Sequence, residues 1–484
     1  MAFRQIFSSL KVSKLLLLLL AVFFVKQLLF VAIFPIFQGP DEPAHYSTVQ
    51  YYAETKAEKE LINNQQTKIS ISKGFDFSEE LAKTKELTEA EKISFHSSAT
   101  QSFSDTSNGQ AEEEIKNSRW KRYIEEKNPS IVGGVPGYFF IPSLIEKSLS
   151  NFDIFIRFFS IRLFSVILGL LIILLSYLSA RKIGLDEKIS LLLSAIIAFQ
   201  PMFSQSSAII NYDIMLFFTF TLFIFGAVWS LKDGLNWKSG LIMFSATALG
   251  LITKAPAIVL ALTLFVLIIY FFKKYLKIRN DYFITGTIIT TLIAVIILEN
   301  VAPGNYLNLL IQEKKSFFDS FLQSLSKYIS VTIDRWDWSE ISYWGNFGWL
   351  DAQISSWIVS IAHWIEIAGI LGIIGYFIFP KKIPEFLPEK KFVIFLIGIF
   401  IYLQIAIRFA DWNFFDTYGK IEIGTHGRYF LPVIFAQFSL IVIGIGMLVR
   451  KYSIWKNILK VLVLSMIMLW LYSVLIIIIP RYYL

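Results

Sequence analysis

Residues 14–45 read KLLLLLLAVFFVKQLLFVAIFPIFQGPDEPAH. The first part, 14–36, is an apolar run long enough to cross the hydrocarbon core as a helix, which takes about 20 residues. The last part, Gly39-Pro40-Asp41-Glu42-Pro43-Ala44-His45, sets two adjacent carboxylates and an imidazole where the chain leaves the bilayer. Membrane anchoring needs no such cluster. Carboxylates at a lipid–water boundary are costly unless solvated or used, which makes them functional candidates.

Working outward, further apolar runs fall near 158–180, 189–208, 212–231, 239–253, 255–272, 281–299, 356–379, 392–409, 430–449 and 457–479. The expected fold is an all-α polytopic membrane protein of about eleven transmembrane helices. The composition agrees, with 55% hydrophobic and 17% charged residues and abundant Phe (46), Tyr (21) and Trp (12). Arg4, Lys11 and Lys14 ahead of Leu15–Leu20 resemble a signal peptide in charge pattern. The run is too long, contains Lys26 and lacks a small-x-small cleavage site, so it reads as a retained first span.

The absence of cysteine excludes disulfides, thiolate nucleophiles and Cys-based metal sites, and four histidines leave little for a His-rich one. No cofactor is expected; a divalent metal is conceivable but not favoured. The net charge of +8 does not point to nucleic acid, because the basic residues are spread through short loops between spans.

Those loops orient the chain. Arg181/Lys182/Lys188, Lys232/Lys238, Lys273/Lys274/Lys277/Arg279, Lys381/Lys382/Lys390/Lys391 and Arg450/Lys451/Lys456 alternate with loops poor in basic residues. The N-terminus is therefore expected in the cytoplasm. The chain divides into a first transmembrane helix (1–36), an extracytoplasmic loop (37–157), helices two to seven (158–299), a second extracytoplasmic loop (300–355) and helices eight to eleven (356–484). Within the first loop, Ser97–Gln110 has the composition of a flexible segment, flanked by helical stretches at Ser78–Ile93 and Ala111–Lys127. Residues 129–142 are too short and broken to span, and suit a re-entrant or surface piece.

This orientation gathers the unusual polar residues on one face: Asp41, Glu42, His45, Asn211, Asp213, Lys254, Trp349, Asp351 and Arg428. Carboxylates for proton transfer beside cations for an anionic group suit group transfer from a lipid phosphate. Each also has a structural reading. Asp41 is a possible N-cap ahead of Pro43, and Asp41 and His45 share a helix face as two metal ligands would. Asn211-Tyr212-Asp213 is a possible helix cap, Lys254 and Arg428 possible snorkelling anchors. The Trp residues at 336, 338, 344 and 349 also suit interfacial packing.

In this order, several stretches resemble the bacterial predicted membrane proteins of domain-of-unknown-function family 2142, grouped with the GT-C superfamily of glycosyltransferases. They are Gly39-Pro-Asp-Glu-Pro-Ala-His45, Arg162-Leu-Phe-Ser-Val166, Gln200-Pro-Met-Phe203 with Asn211-Tyr-Asp213, Gly250-Leu-Ile-Thr-Lys254-Ala-Pro256, Trp344-Gly-Asn-Phe-Gly-Trp-Leu-Asp351 and His426-Gly-Arg-Tyr-Phe-Leu-Pro432. Residues 53–128 match nothing in that pattern. The resemblance implies a GT-C-like layout and an acidic catalytic motif in the first loop, at Asp41-Glu42. It also implies a polyprenyl-phosphate-sugar donor, a glycan or glycolipid acceptor at the plasma membrane, and inversion at the anomeric carbon. Asp41 is then the expected general base and Glu42 its alternate. Arg428 and Lys254 would hold the phosphate, while His45, Asn211, Asp213, Trp349 and Asp351 bind substrate. The rival reading is a transporter or flippase for a lipid-linked sugar; a third is a non-catalytic assembly protein.

Overall fold

Ser13 starts the first helix, its Oγ accepting from the Leu15 amide at 3.2 Å, and α1 runs Lys14–Ile33. The computed structural model describes residues 13–54, 77–95, 106–118, 120–122, 137–276, 314–419, 421 and 426–484. After α1 come short helices α2 (Glu42–Glu54), α3 (Glu79–Leu87), α4 (Ala90–Phe95), α5 (Thr106–Asn117) and α6 (Phe140–Ser148). The long α7 (Ile154–Lys182) is capped by Asp153, whose Oδ1 accepts from the Ile156 amide. Next are α8 (Glu187–Ala198), α9 (Pro201–Ser206), α10 (Asp213–Asp233), α11 (Trp237–Leu251) and α12 (Ile258–Leu276). Then follow α13 (Lys314–Asp334) and α14 (Trp336–Trp344), and a two-stranded hairpin pairing β1 (Asn346–Phe347) with β2 (Ala352–Gln353). The chain continues with α15 (Ser356–Ile378), α16 (Lys390–Tyr418), a 3-10 turn at Gly427–Val433, α17 (Ile434–Val449), α18 (Tyr452–Tyr472) and α19 (Ile479–Tyr483).

The described residues are thus almost wholly helical, and eight helical stretches are long and apolar enough to cross a membrane. This is a multi-pass, all-α membrane protein. Of the remaining expected spans, 189–208 is two short helices, α8 and α9, parted at Gln200-Pro201. Pro201 lacks the amide a continuing helix would use, and Gln200 caps the new helix through the Phe203 amide. The 239–253 run is the 15-residue α11, and 281–299 lies outside the described residues. The expected helix at Ser78–Ile93 is α3 and α4; of that at Ala111–Lys127, α5 covers the part to Asn117, having started at Thr106 inside the stretch read as flexible, and 119 and 123–127 lie outside the described residues.

Two packing devices build the bundle. On α15 and α17 the backbones touch at glycines: a Cβ on Gly372 would collide with the Gly444 carbonyl, and one on Gly369 with Ile441. Small residues at such crossings allow close contact where lipid offers no hydrophobic drive. Elsewhere polar side chains bridge helices. Lys26, fully buried in α1, donates to Gln27 (2.8 Å) and to Ser204 of α9 (2.6 Å), with Phe23, Phe30, Phe199 and Trp470 around its ammonium. Arg157 on α7 pairs with Glu80 of α3 and Glu146 of α6. Tyr46 of α2 donates to the same Glu146, and Gln50 donates to Glu80 at 2.8 Å. One buried cation so fastens α2, α3 and α6 onto the membrane helix α7.

Candidate functional site

The residues that follow α1 are shaped by Arg162. Its Nη groups donate to the carbonyls of Val31 (3.1 Å), Phe34 (2.6 Å) and Pro35 (2.9 Å) at and just beyond the end of α1. Its Nε and Nη2 grip Glu42 Oε1 and Oε2 at 2.8 and 2.7 Å. Glu42 also accepts from the amides of Gly39 (3.0 Å) and Ile210 (2.9 Å), and is wholly buried. Both of its oxygens are occupied, so the general-base role expected as its alternate does not fit: Glu42 is the anchor of the loop.

Asp41, one residue earlier, is turned the other way. It has φ +58°, a left-handed conformation that Asp tolerates better than most residues. Its carbonyl accepts from the His45 amide at 3.0 Å, opening α2. Its carboxylate does not cap that helix. It is 56% exposed and reaches Arg428, 3.4 Å from Oδ2 to Nη2. Asp41 therefore stays reachable while its neighbour is locked.

Arg428 sits on the 3-10 turn, whose Gly427 packs against the backbone of Ser339 and Tyr343 too closely for any Cβ. The Gly427 amide donates to Ser342 Oγ at 3.0 Å, fixing the turn on α14. The guanidinium is buried, and its Nε and Nη1 have no hydrogen-bond partner among the described residues. A cavity of about 290 Å³ opens beside it, lined by Pro40, Asp41, Trp349, Leu350, His426, Arg428 and Tyr429. A buried charge-bearing group with unused donors is costly, so a complementary anion stabilises it.

Lys254 lies nearby but is not in the same state. Its Nζ is 2.6 Å from Asp213 Oδ1, and the Tyr212 and Tyr429 rings stand 4.5 and 4.4 Å away. Burial opposes the ammonium's charge, but Asp213 and the two tyrosines outweigh it and hold its pKa above the usual range. Lys254 is thus a matched cation behind the cavity wall, not an open one. Asn211 Oδ1 accepts from the Asp213 amide at 2.7 Å just ahead of α10, whose N-cap position is Tyr212 and carries no side-chain cap hydrogen bond.

His45 is buried between Phe139 (5.9 Å) and Tyr212 (4.8 Å), with its Nδ1 unpartnered among the described residues. Burial first, then Lys254 and Arg428, pull its pKa down to about 4 against the opposing Asp41 and Asp213. His426, edge-on to Trp338 at 5.4 Å, is likewise lowered to about 4 by burial and Arg428. Both imidazoles are neutral at neutral pH. Between about pH 4 and 6.5 the unfolded chain binds protons that the folded chain refuses. Their contribution is therefore complete above pH 6.5 and lost as pH falls towards 4. For His45 it is on the order of 3 kcal/mol at most. The thermal midpoint in detergent should drop across this window, and drop less steeply in His45→Phe, which keeps the ring stack; equal slopes would contradict this.

Trp349 lines the cavity and donates from Nε1 to the Phe37 carbonyl at 3.1 Å, tying the β1–β2 turn to the end of α1. Asp351 does not line it: its Oδ2 takes Arg481 of α19 at 2.7 Å. Beside these, Gly348 has φ +61° and lies against Tyr482, where a side chain would clash. Asp351 is thus a clasp for the turn.

The structure therefore brings Asp41, Trp349 and Arg428 to one cavity, with Asp213, Lys254, His45 and Asn211 packed behind it and Glu42 and Asp351 acting as anchors. Sequence reading missed Arg162, His426 and Tyr429 as site residues. All three lie in quoted stretches, and the adjacency of His426 and Tyr429 to Arg428 was the available signal. Away from the cavity, Glu340 of α14 with His363 and Glu366 of α15 place ligand atoms within 4.8 Å of one another, the described group with the donors for a divalent ion. Trp336 Nε1 and His363 Nδ1 lie 2.6 and 2.9 Å from Glu340 Oε1.

A family model described as Predicted membrane protein (DUF2142) matches residues 23–437. No curated protein and no solved structure matches the chain.

Proposed function

The chain belongs to the DUF2142 family of predicted membrane proteins, and from that premise we propose that it is a glycosyltransferase of the GT-C type. It moves a sugar from a polyprenyl-phosphate donor to a cell-envelope glycan or glycolipid, at the extracytoplasmic face of the plasma membrane. The observation that carries this reading is the buried Arg428, two of whose nitrogens have no partner among the described residues, in the lining of a cavity that also holds the exposed carboxylate of Asp41.

In the reaction, an acceptor hydroxyl gives its proton to Asp41 as its oxygen bonds to the anomeric carbon. The bond from that carbon to the phosphate oxygen breaks, and the electron pair leaves with the lipid phosphate. Arg428 meets the developing charge through paired N–H donors, which suit phosphate better than a lysine does. Lys254 and Asp213 form the neutral backing that holds Tyr429 and Arg428 in place. Attack opposite the leaving group inverts the anomeric centre. No cofactor beyond the lipid carrier takes part. The eleven-span GT-C layout and a cytoplasmic N-terminus belong to the same proposal. The cavity lies where α1 ends and α10 begins, at one end of the bundle, which favours a transferase over a transporter with a midplane site.

The test is direct. Purified protein should bind a polyprenyl-phosphoryl hexose and release free polyprenyl phosphate when acceptor glycan is added. Arg428→Gln should weaken that binding about 10- to 100-fold, the value of charge-assisted hydrogen bonds. Undiminished binding by Arg428→Gln would remove the proposal's phosphate site.

A further inference from the structure

The charges around the cavity also bear on which sugar enters it, an inference that rests on the glycosyl-transfer reading. Among the described residues, the neighbouring cations are already matched to carboxylates: Arg162 to Glu42, Lys254 to Asp213 and Arg481 to Asp351. Arg428 differs, keeping two buried nitrogens without partners among the described residues. A lipid phosphate takes those donors. Asp41 adds its own negative charge to the same cavity, and it must remain a carboxylate to receive the acceptor's proton. His426 contributes no compensating charge at neutral pH, since burial and Arg428 keep its imidazole neutral.

A second anionic group on the substrate would then face the phosphate and Asp41 with no further unmatched cation among the described residues of the cavity lining. Close like charges repel strongly where water is partly excluded, because the effective dielectric is lower than that of bulk water. What the cavity lining still offers suits an uncharged ring: His426, whose buried Nδ1 has no partner among the described residues, and the aromatic rings of Trp349 and Tyr429 for apolar ring carbons.

We propose that the sugar taken beside Arg428 is neutral, a hexose, pentose or N-acetylated sugar, and that uronic acids are rejected by their charge.

The experiment measures binding of short-chain donor analogues to the purified full-length protein in detergent. Citronellyl-phosphoryl glucose and galactose are compared with their glucuronic and galacturonic counterparts, and with the methyl esters of those acids. The expected result, in at least one series, is a neutral sugar bound at least about tenfold more tightly than its acid, with the ester recovering most of the difference. Equal binding of sugar and acid would overturn this inference and leave the lipid-phosphate reading standing. An ester bound as weakly as its acid would overturn charge as the cause. Binding of no analogue in either series would overturn both.

Discussion

Asp41→Asn should lower sugar transfer by about 10²- to 10⁴-fold, the usual contribution of a positioned general base, while donor binding changes only a few-fold. The substitution keeps shape and backbone preference, because Asn also accepts the left-handed conformation that Asp41 adopts at φ +58°. It also keeps Arg428 in a polar setting, since the Asn Oδ1 can still accept from Nη2. What is lost is the ability to take a proton from the acceptor. Single-turnover transfer at saturating donor separates this from a binding defect. A rate within threefold of wild type would show that Asp41 is not the base, and with Glu42 fully engaged elsewhere it would leave the proposal without one.

Arg162→Met is expected to be the most damaging substitution for the fold. Arg162 and Glu42 are both wholly buried, and removing one partner of such a pair costs about 3–5 kcal/mol because the other charge is left uncompensated. Here the loss is compounded, since the guanidinium's hydrogen bonds to the carbonyls of Val31, Phe34 and Pro35 go as well. The expected outcome is little folded protein recovered in detergent, or a sharply lowered thermal midpoint. The Glu42→Gln, Arg162→Met double variant should recover part of that loss, because no lone charge remains buried. Glu42→Gln alone separates the two roles this residue was offered. An anchor predicts lowered stability, whereas a catalytic base would lose transfer with the melting point unchanged.

The membrane fold was legible in the sequence because lipid imposes a simple code: about 20 apolar residues for a span. The code weakens where a proline cuts a run, and Pro201, with Gln200 capping the helix that follows, divides 189–208 into two helices. The candidate site was legible as a set of residue types and much less as a set of pairs. Lys254 and Arg428 looked alike as cations near one membrane face. Their difference lies in Asp213, 41 residues before Lys254, which pairs with it at 2.6 Å, while the carboxylate contact of Arg428 is the longer one to Asp41, at 3.4 Å. Asp41 and Glu42 likewise looked interchangeable. Arg162, 120 residues beyond Glu42, sets them apart by drawing one carboxylate into the core. Pairing of this kind depends on which helices pack together, and hydropathy carries no record of it.

The most direct measurement is the sugar composition of the envelope glycans in a strain lacking this gene. It should be complemented in parallel with wild type and Asp41→Asn at equal protein level. The account predicts that one neutral sugar disappears on deletion, returns with wild type and stays absent with the variant. Unchanged composition on deletion, or full restoration by Asp41→Asn, would contradict it.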